Sequence, residues 1–300
     1  MSILIKNGGS NRVTLDGKPP KERIDLKRYG DEANLNFIRF PTIKKHPVTT
    51  GDYIEIKGIC EVENTYYMVV CDDLWYTNFY ILKYTFENGF DKEFIVKIEE
   101  GTSGACGIIK DGDYLYFTMG GNIFKFDINK KTVNSVSRLN KSINKGSLLK
   151  FNNSIYYVYF FENYTYVYNV TTSTNEFYSE MVLENSFIYG DKMFITTSKK
   201  IFTYNNGNIT EYMTLPNNGE CLKVKDTLHF LQGKRTEKEA TKHYVLNKNN
   251  IWEQKDDMDK GAYNFINFFE VNKGLLTLED SGINKIINDA LVLITDELYL

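Results

Sequence analysis

The middle of the chain reads as short alternating runs of apolar and polar residues separated by polar turns. The clearest is "YLYFTMGGNIFKFDINKKT", residues 114–132: an apolar run, Gly120-Gly121, a second alternating run ending at Asp127, and a polar corner. A period of two puts the apolar side chains on one face of a strand, and a Gly-Gly step between two such runs signals a hairpin. The frame recurs as "ICEVENTYYMVV", "CGIIKDGDYLYF", "SLLKFNNSIYYVY", "SFIYGDKMFITT", "CLKVKDTLHFL" and "FFEVNKGLLTL". Taking the first apolar residue after each turn as an anchor gives Tyr66, Leu115, Ile155, Met193, Leu228 and Leu275, at intervals of 49, 40, 38, 35 and 47 residues. A period of about 40 residues, filled by about four short strands, is the pattern of a β-propeller blade.

The expected fold is therefore all-β, a six-bladed propeller over residues 51–300, with five or seven blades as alternatives and a β-sandwich as the rival. Third strands are read at "NIFKFDI", "TYVYNV", "KIFTYNN" and "KHYVLNK", and outer strands at "KEFIVKI", "NEFYSEM", "NITEYMT" and "NIWEQKD". Apolar spacing of three and four is nowhere sustained, so no amphipathic helix is expected. The apolar segment "ALVLIT", 290–295, has no later partner, and an unpaired apolar edge invites aggregation. It is expected to meet "DYIEIK", 52–57, and so close the ring. The inner strands are expected to carry the anchors and to be the most buried.

The unit "YLYFTMGGNIFKFDINKKTVNSV" resembles a kelch repeat through its Gly120-Gly121 step, Asp127 and the corner at Thr132. The other units lack the double glycine, and an outer-strand Trp occurs only as Trp252. The resemblance implies a binding or scaffolding platform rather than a particular chemistry.

Residues 1–50 do not follow the repeat. "SILIKN" and "NRVTLD" can pair as a hairpin around Gly8-Gly9, and a polar, basic stretch follows that contains four of the five prolines. A segment of this composition cannot bury enough apolar surface to fold alone. It is read as a docking arm, with Ile3, Ile5, Val13, Leu15, Phe37 and Phe40 meeting a neighbouring chain and basic residues setting register. An arm ahead of a repetitive all-β body resembles accessory proteins of phage tails and of phage-tail-like contractile bacteriocins. That resemblance implies a non-enzymatic structural or receptor-binding component, docked by its arm to a particle assembled in the cytoplasm. The alternatives are a cytosolic kelch-like interaction scaffold and a propeller enzyme acting on polysaccharide.

Composition supports this picture. The chain is 15% aromatic, with 22 Tyr and 20 Phe, residue types suited to pleated surfaces. A formal charge of −3, with both signs scattered, argues against a protein built to grip nucleic acid or an anionic membrane. The apolar stretch in "MSILIKNGGSNRV" is short for a secretory leader, and no run is long enough for a membrane helix. The four cysteines form no CxxC pair, so thiolate metal binding is not expected. Cys60 and Cys71 flank the turn at Asn64, which leaves a disulfide between them open.

No phosphate-binding loop, HExxH or GxSxG motif occurs, and the only histidines are His46, His229 and His243. The latter two fall within strands, where packing or surface roles are expected. Asp72-Asp73 and Asp256-Asp257 are carboxylate pairs, but adjacent acids on a loop are usually solvated. No catalytic residue, cofactor or metal is assigned. Two aromatic segments, "CDDLWYTNFY" and "YFFENYTYVY", fall between second and third strands of their units. Rings interleaved with acids and amides suit sugar recognition, which makes Asp72, Asp73, Trp75, Tyr76, Asn78, Phe160, Glu162, Asn163 and Tyr164 the candidate ligand-binding residues.

Overall fold

The computed structural model describes residues 55–71, 78–85, 88–98, 104, 107–139, 141–143, 145–232 and 242–255. It also describes the strands at 3–4, 12–13, 26–28, 36–40, 265–271, 274–279 and 290–295, chiefly by their backbone pairing. The described residues are all-β, without a helix. β1 (Ile3–Leu4) and β2 (Arg12–Val13) form a two-stranded ribbon, and β3 (Leu26–Arg28) and β4 (Asn36–Phe40) precede the repeats.

Five antiparallel meanders of four strands follow in chain order. The first is β5–β8 (Glu55–Val62, Thr65–Cys71, Phe79–Thr85, Gly89–Ile98) and the second β9–β12 (Ile108–Asp111, Tyr114–Met119, Asn122–Asp127, Thr132–Arg138). The third is β13–β16 (Lys145–Phe151, Ser154–Phe161, Tyr164–Asn169, Thr174–Ser179) and the fourth β17–β20 (Asn185–Tyr189, Lys192–Thr196, Lys200–Asn205, Asn208–Thr214). The fifth is β21–β24 (Gly219–Val224, Thr227–Gln232, Lys242–Leu246, Trp252–Gln254). A further sheet takes β25 (Phe265–Val271), β26 (Gly274–Glu279) and β27 (Ala290–Thr295) from the end of the chain, and adds β4 and then β3 from its beginning.

First strands of successive sheets lie side by side, from β5 through β9, β13 and β17 to β21; β21 lies beside β26, and β25 beside β5. The sheets thus follow one another round a closed circuit, as in a β-propeller. Between adjacent sheets lie the apolar clusters. One joins Val69, Phe79 and Ile81 to Leu115, Phe117 and Phe126, and the next joins Ile123 to Leu148, Tyr157 and Tyr159. Two more follow, around Val158, Val167 and Ile195, and around Phe194, Leu228 and Phe230.

Each of the six anchors is the second residue of the second strand in its sheet. Their partners on the first strand are Glu61, Lys110, Lys150, Ile188, Lys223 and Glu270, in the same order. The five anchors with described side chains are buried. The anchors therefore stand at equivalent places, but not on the innermost strand. In the third sheet β14 is buried along most of its length while β13 is only half-buried. The second strand is hydrogen-bonded along both edges, whereas the first has one edge with no strand hydrogen-bonded to it.

Ring closure uses a different strand from the one expected. β27 pairs antiparallel with β4, setting Leu291 opposite Phe40, Leu293 opposite Ile38 and Ile294 opposite Phe37. Residues 55–57 belong instead to β5, the first strand of the first meander. The boundary expected at residue 50 thus falls after two strands that the last sheet has taken up. "NFIRF" is a short aromatic and aliphatic run like other strands here, but its basic neighbours conceal it.

The polar corners after three of the third strands, β11, β15 and β23, have a common cause. The backbone N–H groups of Asn129 and Lys130 donate to Asp127 Oδ1 at 3.0 and 2.9 Å. Those of Thr171 and Thr172 donate to Asn169 Oδ1, and those of Asn249 and Ile251 to Asn247 Oδ1. These are Asx turns, in which a side-chain oxygen satisfies the corner's own backbone. The fourth strand then bulges. Val136, Glu176 and Tyr212 are the extra residues opposite β11, β15 and β19. Two of them reach the next sheet: the Tyr204 hydroxyl donates to Glu176 Oε2, and the Tyr212 hydroxyl to Asn250 Oδ1 at 3.3 Å.

No disulfide joins Cys60 and Cys71. Neither takes part in a disulfide and both are buried, and the register sets Cys60 opposite Tyr67 and Cys71 opposite Glu55, at different ends of the hairpin. Burial pushes the Cys60 thiol up to about 11, which makes it a poor nucleophile at neutral pH.

Candidate functional site

The third sheet carries the most developed surface feature. β14 and β15 are joined by a two-residue turn, Glu162-Asn163, with φ of 47° and 69°. Both angles lie in the left-handed region that tight hairpins require and that Asn tolerates. A two-residue turn fixes the register, so Phe161 faces Tyr164, Tyr159 faces Tyr166 and Tyr157 faces Tyr168. Tyr178 on β16 stands opposite Tyr166.

The result is a ladder of rings on one face of the sheet. Tyr159 stacks on Tyr166 with centroids 5.0 Å apart, and Tyr166 on Tyr178 at 6.0 Å. Tyr164 packs against both Tyr166 and Tyr178. The ladder runs from the core to solvent: Tyr159 is fully buried and Tyr178 is 66% exposed. The hydroxyl of Tyr159 is buried without a hydrogen-bond partner. Burial, with Tyr166 and Tyr168 adding to it, pushes that phenol up from its ordinary value, so it stays neutral.

A lysine completes the feature. Lys141, on the link from β12 to β13, holds its Nζ 3.9 Å from the Tyr166 ring centre, 5.0 Å from Phe161 and 5.6 Å from Tyr159. The double glycine of the second sheet puts it there. The Leu139 N–H donates to the Gly121 carbonyl at 2.8 Å, and the Tyr157 hydroxyl donates to the Gly120 carbonyl at 3.0 Å. A Cβ on Gly121 would lie 2.4 Å from the Lys141 carbonyl oxygen, so only glycine lets the link pass this close.

Of the residues singled out by sequence, Glu162 and Asn163 form the exposed tip of this turn and Tyr164 belongs to the ladder. Phe160 does not join them. It points to the other face, packing with Leu149, Val158 and Val167 towards the fourth sheet. Asn78 is half-buried just before β7, while Asp72, Asp73, Trp75 and Tyr76 lie outside the described residues. The segment 72–78 links β6 to β7, as 162–163 links β14 to β15. Tyr159, Phe161, Tyr166, Tyr178 and Lys141 escaped the sequence reading. The signal that could have found them is parity: across a two-residue turn, odd positions before it share a face with even positions after it.

The expected docking residues divide. Ile3 and Val13 are opposite one another in the β1–β2 ribbon, Phe37 and Phe40 stand on β4, and Ile5 and Leu15 lie outside the described residues.

A second titratable cluster lies deep in the fifth sheet. His229 Nδ1 and His243 Nε2 are 2.9 Å apart, the rings are stacked, and both residues are fully buried. Their outward nitrogens have no partner. Burial, with His243 beside it, lowers His229 to about 3. Burial, with Lys255 adding to it, lowers His243 to about 4. Both are neutral at physiological pH and closed to solvent, which suits packing rather than proton transfer. Among the described residues no group of three His, Cys, Asp or Glu could hold a metal ion.

No family model matches the chain, and no curated protein matches it in sequence. Solved structures share its fold. A putative exported protein from Bacteroides fragilis NCTC 9343 is similar at a TM-score of 0.52 and 10% identity, over 90% of this chain and 94% of that one. A protein described as luciferin-regenerating enzyme is similar at 0.51 and 11% identity, over 84% and 94%. The protein YjhT is similar at 0.54 and 10% identity, over 85% and 100%. At such identities the likeness is one of all-β fold.

Proposed function

We propose that this chain is a six-bladed β-propeller that acts by binding, and that the tyrosine ladder of its third sheet is the ligand surface. The observation that carries this reading is the run of stacked rings leading from a buried Tyr159 to a Tyr178 that is 66% exposed. Stacked rings with an open end suit the apolar face of a sugar, and the Glu162-Asn163 turn offers acceptors and donors for hydroxyls beside it. In the assembly proposed from sequence, the chain is a structural or receptor-binding component of a phage tail or contractile-bacteriocin particle. Docking then falls to Ile3, Ile5, Val13 and Leu15, because β4, which bears Phe37 and Phe40, already has a strand on each side. A catalytic reading draws only on the name of one neighbour of the same fold.

The test is binding of the purified chain to an array of bacterial surface glycans, repeated with Tyr164→Ala/Tyr178→Ala. Signal that the double variant loses, at unchanged melting temperature, is the expected outcome. Equal signal from the two proteins would remove the ladder from any binding role.

A further inference from the structure

Building on the binding role proposed above, we infer that the ladder takes an acidic sugar, a pyranose that stacks on Tyr178 and sets its carboxylate against Lys141. Several lysines of the described residues lie over rings rather than in an ion pair, and Lys141 is the one seated on the ladder. Lys145, four residues on, is paired with Glu184 at 2.6 Å. Lys150 is paired with Asp111 and Lys200 with Glu211, at 2.6 and 2.7 Å. Lys141 instead lies over the rings of Tyr166, Phe161 and Tyr159, and among the described residues no carboxylate pairs with it. Ring faces attract an ammonium but carry no formal charge, so they leave its positive charge uncompensated. Gly120-Gly121 positions the backbone of the link that bears it, and the ammonium itself rests against three rings. A cation seated beside a stacking surface favours an anionic ligand over a neutral one of the same shape.

The probe is an oligogalacturonate, compared with its full methyl ester, which keeps the sugar rings and removes the charge. Both are titrated into the chain at low salt, following tyrosine fluorescence. The acid is expected to bind about tenfold more tightly than the ester, with the difference shrinking as salt is added. Lys141→Gln should erase the difference, Lys141→Arg should keep it, and Tyr178→Ala should weaken both ligands. Equal affinity of acid and ester in the unaltered chain, with both lost in Tyr178→Ala, would overturn the acidic-sugar inference and leave the binding surface standing. Binding of neither ligand, or indifference of both to Tyr178→Ala, would overturn the inference and weigh against the sugar-binding reading beneath it.

Discussion

The third sheet and the last sheet are built from the same strand pattern by opposite routes. β13 to β16 form from one continuous segment, with a two-residue turn between β13 and β14 and another between β14 and β15. The last sheet joins β27 to β4, strands at opposite ends of the chain. A meander closes its hydrogen bonds over short loops, so its formation is a local matter. Pairing β4 with β27 closes the loop of the whole molecule, and its entropic cost is met only once the other sheets are in place. The circuit therefore has several sections whose strands pair locally and one joint that pairs the two ends of the chain.

The largest expected effect comes from breaking that joint. Deleting residues 26–40 removes β3 and β4 and leaves the β27 edge, with its apolar "ALVLIT" sequence, unpaired. Such an edge invites association with other chains, so the deletion should abolish soluble, monomeric folding. Deleting residues 1–25 instead removes the β1–β2 ribbon, which among the described strands pairs with no other sheet, and should change the melting temperature by a few degrees at most. The two truncations are compared by size-exclusion chromatography and thermal melts. A 26–40 deletion that melts like the parent would mean that the joint contributes nothing.

The same contrast explains what the sequence made legible. Anchors, turns and corners are local devices, and all six anchors could be placed because each follows a short turn within one segment. The closing strand could not be placed, because nothing in "NFIRF" names residues 291–295 as its partner and the surrounding lysines, arginines and prolines read as a solvated tail. At the candidate site, the aromatic richness of 159–168 was visible, but the choice of Phe160 over Phe161 was a parity error. A one-residue slip in register moves a side chain to the other face. Lys141 reaches the site through a tertiary contact at Gly121, which has no signature in its own segment.

A medium effect is expected on acidification. In the fifth sheet Leu228 and Phe230 point to the fourth sheet, so His229, which alternates with them, points to the side where the last sheet follows. Folded His229 and His243 titrate at about 3 and about 4, against 6.5 for an exposed histidine. Above 6.5 neither state binds the proton and stability is unaffected. Below 6.5 the unfolded chain takes up protons that the folded chain refuses, so stability falls until the folded pair itself titrates. Each imidazole contributes up to about 1.4 kcal/mol of loss per pH unit across that window. Melts from pH 7 to pH 4 should show a steeper decline for the parent than for His229→Leu/His243→Leu. Parallel curves would show that the pair is not what makes this side of the sheet sensitive to acid.

The smallest effects should come from the Asx corners, and they measure how independent the meanders are. Asp127→Ala and Asn247→Ala each leave two backbone N–H groups without their side-chain acceptor, at about 1 kcal/mol apiece. Asn169→Ala should cost more. Asn169 is buried and its Nδ2 also donates to Glu176 Oε1 at 2.7 Å, while Glu176 accepts from Tyr204 in the fourth sheet. Losing Asn169 therefore loosens a contact between sheets as well as a corner within one. The first two corners lie in sheets that do not adjoin, so Asp127→Ala and Asn247→Ala should add in a double variant to within about 0.5 kcal/mol in urea unfolding. Asn169→Ala combined with Tyr204→Phe should fall short of the sum, because both changes act on Glu176. Strict additivity of that second pair would show that the sheets do not communicate through the bulge of β16.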